Sequence, residues 1–175
     1  SYGPIVLGKL LLGHDVTALL PTLAGYFSEA GQIYMNGPGQ TRSELWYLMY
    51  VNALAAQITR RALLQDAGAA GRWRQSADSL MQMAERLGYD FNHQGYDFAT
   101  GEPWNHKELY RQPDTVGAYA YLMLLAHEAF GEAVYLEEAL KALNRYLALE
   151  GNPWYEVPSG AMAAVAAARL AAQGH

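Results

Sequence analysis

Residues 115–130 read TVGAYAYLMLLAHEAF, and apart from tyrosine hydroxyls the only ionisable groups are His127 and Glu128 at the far end. A helix of this composition is apolar around its whole circumference, so it is predicted to have neighbours on every side. The segments beside it differ. Residues 132–149 carry one stripe of Leu136, Leu140, Leu143 and Leu147, with Glu137, Glu138, Lys141, Asn144 and Arg145 opposite. Residues 72–87 carry one stripe of Trp73, Ala77, Leu80, Ala84 and Leu87, closed by Gly88. Further out, residues 41–66 contain ELWYLMYVNALAAQ and residues 159–173 contain GAMAAVAAARLAAQ, both apolar or small on nearly every face. Residues 4–12 contain IVLGKLLL, again nearly apolar all round. Residues 15–30 return to a single stripe of Val16, Leu19, Leu20, Leu23 and Phe27, with Asp15 as N-cap and Gly31 as stop.

All-round and one-sided helices therefore alternate along the chain. An all-apolar helix belongs to an inner layer and a striped one to an outer layer. The predicted fold is all-α: antiparallel helical hairpins in two layers, about seven helices in a single domain spanning 1–175. Links from inner to outer helices are short, at 13–14, 65–71 and 131. Links from outer to inner are long, at 31–40, 88–114 and 150–158, and must emerge together at one end. Two of them share a pattern, Gly101-Glu102-Pro103-Trp104 and Gly151-Asn152-Pro153-Trp154, with Asn36-Gly37-Pro38-Gly39 in the equivalent place of the first. Loops carried on a rigid scaffold are where function concentrates, so that end is the predicted site.

The chain has 175 residues and 19.3 kDa, with 51% hydrophobic and 17% charged residues, which excludes intrinsic disorder. Net charge is −5 with no basic cluster beyond Arg60-Arg61, which argues against a nucleic-acid partner. No apolar run approaches the roughly 20 residues of a membrane span. Without cysteine there are no disulfides, thiolate metal sites or cysteine nucleophiles, and the compartment stays open. Ser1 is not an initiator Met and no signal peptide follows, so a trimmed or excised chain is expected. So little charge also predicts apolar surface that is covered by a second copy or by the remainder of a longer chain.

Alternating inner and outer helices, with loop pieces FATGEPWN and GNPWYEVPSGA at one end, resemble the six-hairpin (α/α) toroid superfamily of glycoside hydrolases and polysaccharide lyases. A complete toroid has more helices than this chain holds, so the resemblance is to a part of one or to an open array. It implies a carbohydrate-active protein, with hydrolysis favoured, uronate lysis next, and a non-catalytic helical-repeat module as the rival from another class.

Residues 88–114 hold the densest concentration of aromatic, acidic and amide side chains. Aromatic rings stack on sugar faces, and the same rings equally pack a loop onto helix ends. The predicted ligand contacts are Trp46, Tyr96, Trp104, Asn105, Arg111, Trp154 and Glu44. Glycoside hydrolysis needs two carboxyl groups, for which Asp114 and Glu102 are the catalytic candidates. Asp114 also suits an N-cap, and Glu44 suits the positive end of its helix. The toroid lyases imply a second chemistry, in which Asn105 or Arg111 neutralises a uronate carboxylate and His106 or Tyr110 takes the C5 proton. No HExxH, EF-hand, Walker, Rossmann or Gly-x-Ser-x-Gly pattern occurs, so neither a metal nor a cofactor is predicted.

Overall fold

The computed structural model describes residues 2–62, 66, 68–106, 111–151 and 156–175. In chain order these form α1 (Tyr2–Leu11), a 3-10 turn (Thr17–Leu19), α2 (Leu20–Ala24), β1 (Phe27–Ser28), β2 (Ile33–Tyr34), β3 (Arg42–Glu44) and α3 (Leu45–Ala62). There follow α4 (Ala69–Arg86), β4 (Gly95–Asp97), β5 (Glu102–Trp104), α5 (Thr115–Phe130), α6 (Ala133–Leu147) and α7 (Val157–Ala172). The chain is mainly helical, and it also carries two small antiparallel sheets, so the all-α expectation needs correcting. In the first sheet β1 pairs with β2, and in the second the order is β3-β4-β5.

Helix α5 occupies the segment read from sequence, and every residue from Thr115 to Ala126 is buried. It packs against α3 and α7, which also touch one another, with α4 and α6 on it as well. Helices α1, α3, α5 and α7 pack in succession as a row, with α7 also reaching α3; α4 also seats on α3, and α6 also on α7. The stripe of α4 lies in the core as expected, with Trp73, Ala77, Leu80, Ala84 and Leu87 all buried. Gly88 and Gly131 close α4 and α5 in left-handed conformations, which only glycine adopts without strain.

Four expectations fail for local reasons. Residues 15–30 are not one helix, because Pro21 lacks an N–H and is tolerated only in a first turn, so α2 starts at Leu20 and is short. Residues 42–44 leave the helix and become β3, because their backbone groups pair with β4. Helix α6 is rotated from its predicted stripe: Tyr135, Glu138, Ala139 and Ala142 are buried, while Leu147 is exposed. Glu138 is drawn inward because the hydroxyls of Tyr89 and Tyr119 both donate to it, at 2.7 and 2.6 Å. Lastly, α1 and α7 are not buried all round. Ile5 and Leu11 of α1 and Val157 of α7 are exposed, and Val165 is exposed beside a groove that α7 shares with α3. Both α1 and α7 therefore present apolar side chains to solvent.

Opposite the long links, Arg60 and Arg169 both pair with Glu128, at 3.3 and 3.0 Å, joining α3, α5 and α7 at the ends where they finish. His127 is satisfied locally, with its Nδ1 2.9 Å from the Glu132 carbonyl.

Candidate functional site

Glu44, Asp114 and Glu156 each immediately precede one helix of the row: α3, α5 and α7. Hydrogen bonds draw these three helix starts together. The Trp46 N–H donates to Gln112 Oε1 at 2.7 Å, joining α3 to the approach of α5. The Glu156 N–H donates to Asp114 Oδ2 at 3.4 Å, joining α7 to α5. The long links do emerge at one end, and that end carries acids beside the positive poles of three helices. Asp114 makes no side-chain bond to its own helix and is fully buried, so simple capping does not account for it.

The β3-β4-β5 sheet lies on this end. Its register places Glu44 opposite Gly95 and Gly95 opposite Trp104, with Arg42, Asp97 and Glu102 in the outermost row. Side chains two apart along a strand share a face, so these two rows project together. Ser43, Tyr96 and Pro103 project from the other face, where Tyr96 is buried edge-on to Phe98 at 4.9 Å. Tyr96 therefore supports the hairpin from beneath, and on that face it lines a cleft with Gln82, Arg86 and Phe98. Gly95 is required by the crowding: an added Cβ would fall 2.4 Å from the Ser43 carbonyl and 2.3 Å from the Trp104 ring. Substituting Gly95→Ala is expected to displace Trp104, which tryptophan fluorescence would report as a shifted emission together with a lowered melting temperature.

Glu44 is held by two glutamines. Gln94 Nε2 donates to Glu44 Oε1 at 3.4 Å, and Gln112 Nε2 donates to Glu44 Oε2 at 3.3 Å. Gln112 is fully buried and Gln94 nearly so. Beside this clamp, the Gln94 N–H donates to Asn105 Oδ1 at 2.9 Å, which turns Asn105 Nδ2 toward His93 Nδ1 at 3.2 Å. Arg42 Nη2 lies 2.9 Å from His106 Nε2. A guanidinium has no acceptor, so this nitrogen carries the lone pair and the His106 proton sits on Nδ1. The Arg42 guanidinium also lies 4.1 Å from the centroid of the Trp104 ring, with the His106 ring 4.9 Å away. The Trp104 indole is largely taken up within this cluster, and its N–H has no hydrogen-bond partner among the described residues.

Trp46 faces elsewhere. Its ring packs on Tyr47 and Tyr50, at 5.0 and 5.2 Å, and lines a cleft of about 320 Å³ between α1, α2 and α3. Tyr2, Tyr26, Tyr47 and Tyr50 also line it, with Asn36 as a polar wall. Glu44 does not line it, although it stands two residues before Trp46 in the chain.

The structure thus brings Glu44, Trp104, Asn105 and His106 together around Gln94 and the sheet, while the Trp46 ring lies in the separate cleft. Glu102 is exposed on the outermost sheet row and Asp114 is buried at the start of α5, so these two acids do not share an environment. Arg111 is exposed. Tyr110 and Trp154 lie outside the described residues. Sequence reading missed Arg42, His93, Gln94 and Gln112, which no spacing connects because the cluster is assembled across the sheet. Tyr50 was legible: at four residues after Trp46 on a helix it shares that face.

No protein-family model, curated protein or solved structure matches this chain. The site therefore has to be read from its own chemistry. Among the described residues, no group of three or more His, Asp and Glu side chains is gathered closely enough to hold a metal ion. Nor is any described helix long and apolar enough to cross a membrane.

Proposed function

We propose that the protein is carbohydrate-active and takes a sugar chain in the aromatic cleft at the start of α3. The observation that carries this reading is the double position of Trp46. It lines a cleft with five tyrosines, while its backbone is bonded to the glutamine that holds Glu44. Rings of this kind stack on the apolar faces of sugars, and a carboxylate beside them accepts sugar hydroxyls.

The helix arrangement supports reading the row α1-α3-α5-α7, backed by α4 and α6, as an arc of an (α/α) toroid. The apolar edges at α1 and α7 are then where a second copy or further helices would pack. Hydrolysis is the favoured reaction, with Glu44 and Asp114 as its two carboxyl groups. Gln112 stands between them in the fold: its side-chain amide donates to Glu44, and its backbone carbonyl accepts from the hydroxyl of Thr115, the residue after Asp114. Asn105 beside His93 and Arg42 beside His106 favour uronate lysis as the second reading.

A panel of neutral and uronate oligosaccharides, followed by reducing-end release and by absorbance of 4,5-unsaturated products, tests both. Binding with reducing ends alone supports hydrolysis, and the unsaturated absorbance supports lysis. Trp46→Ala is expected to weaken binding roughly tenfold or more, the loss of one to two stacking contacts. Glu44→Gln is expected to abolish turnover with the fold intact. If the folded protein binds no sugar, the carbohydrate reading fails and a non-catalytic interaction module replaces it.

A further inference from the structure

We propose that Gln94 and Gln112 are positioning residues that fix the Glu44 carboxylate in one orientation at the start of α3. The assignment of a ligand to Glu44 rests on the carbohydrate reading, whereas the clamp itself rests on geometry. Each amide is oriented by a backbone group at its other end. Gln112 Oε1 accepts from the Trp46 N–H at 2.7 Å, and Gln94 Oε1 accepts from the His106 N–H at 2.9 Å. With the oxygen so occupied, the NH₂ of each side chain must turn the opposite way, and in both cases it meets Glu44. An amide is the only common side chain that accepts from a backbone N–H at one atom and donates to a carboxylate at the next.

The two glutamines come from different segments of the 88–114 link and approach different oxygens of the same carboxylate. Both are buried, at 8% exposure for Gln94 and 0% for Gln112, whereas Glu44 remains partly exposed. Buried donors therefore hold an accessible acceptor. A glutamine serving only to satisfy a backbone N–H would need its carbonyl alone. The second contact on each is what the positioning role adds.

The test separates these two roles. Gln112→Glu keeps an acceptor for the Trp46 N–H but sets a carboxylate against Glu44. The exchanged pair Glu44→Gln with Gln112→Glu restores one donor facing one acceptor. If the contact is as described, Gln112→Glu lowers the melting temperature and the exchanged pair recovers most of the loss. Additive effects of the two changes would overturn it. Side-chain coupling constants of Glu44 should report a single rotamer in the unmodified protein and averaging in Gln94→Met and Gln112→Met. A single rotamer in both methionine variants would overturn the proposal even if Gln112→Glu did not fold. With cello-, xylo-, manno- and galacturonate hexaoses as probes, the exchanged pair should bind at least about tenfold more weakly than the unmodified protein despite its recovered stability. Binding undiminished in the exchanged pair would likewise overturn it. If no hexaose binds the unmodified protein, the carbohydrate reading fails, and the coupling constants alone decide the positioning.

Discussion

Gly117→Val is expected to destabilise the protein by about 3 kcal/mol, at the upper end of what overpacking a core costs. A Cβ at Gly117 would lie 2.6 Å from the Ala163 Cβ and 2.7 Å from the Tyr146 ring. Three helices meet there: α5 carries Gly117, α7 carries Ala163 and α6 carries Tyr146. On an exposed helix, exchanging glycine for alanine gains up to about 1 kcal/mol of helix propensity. At this position the sign reverses, because the Ala163 methyl sits on a backbone that cannot turn away. Chemical denaturation of Gly117→Ala and Gly117→Val should give a graded loss, with valine the larger. An alanine variant as stable as the unmodified protein would show that α7 is free to retreat from α5.

The second large effect is alkaline. Tyr119 is fully buried, and burial first, then its hydrogen bond to the Glu138 carboxylate, pushes its hydroxyl far above the ordinary value of 10.0. Tyr135 moves in the same direction, through burial and then its bond to Asp78. In the folded protein the Tyr119 proton is retained where the unfolded chain releases it. The resulting stability is fully present below about pH 10 and is lost as pH climbs above it. A fully buried tyrosine contributes a slope of about 1.4 kcal/mol per pH unit, so Tyr119 alone removes roughly 3 kcal/mol by pH 12. Urea titrations between pH 8 and 12 should show this fall. Tyr119→Phe should flatten it, while costing about 1–3 kcal/mol at pH 8 because one oxygen of the buried Glu138 loses its donor. Equal alkaline slopes in the two proteins would place the sensitivity elsewhere.

These two sites differ in how far they could be read from sequence. The apolar circumference of α5 was plain, and from it followed a helix surrounded by neighbours, which Thr115 to Ala126 all bear out. That Gly117 is the point of closest approach was not legible, because it depends on the small residue at 163 arriving opposite. Glu138 was assigned by its helical spacing to the solvent side of α6. Two tyrosine hydroxyls, one from α5 and one from the link after α4, supplied the partners that make its burial tolerable. Hydrophobic spacing carries no information about such distant donors.

The candidate site divides the same way. That Glu44 and Asp114 stand directly before buried helices was visible in the chain, as was the gathering of the long links at one end. The β4-β5 hairpin was not, since its strands are three residues each and take their third partner from residues 42–44. Pairing across that distance turned the start of a predicted helix into a strand and aimed Arg42 at Trp104 and His106.

Periodicity alone thus determined the helical character, the buried α4 and α5 stripes and the end at which the links meet. It can do so because burial repeats with the helical turn, a property of neighbouring residues. The tertiary structure decided which groups meet: the glutamines on Glu44, the tyrosines on Glu138, and the aromatic rings that line the cleft between α1, α2 and α3. Those contacts join residues far apart in the chain, and their energies depend on geometry that no local pattern contains.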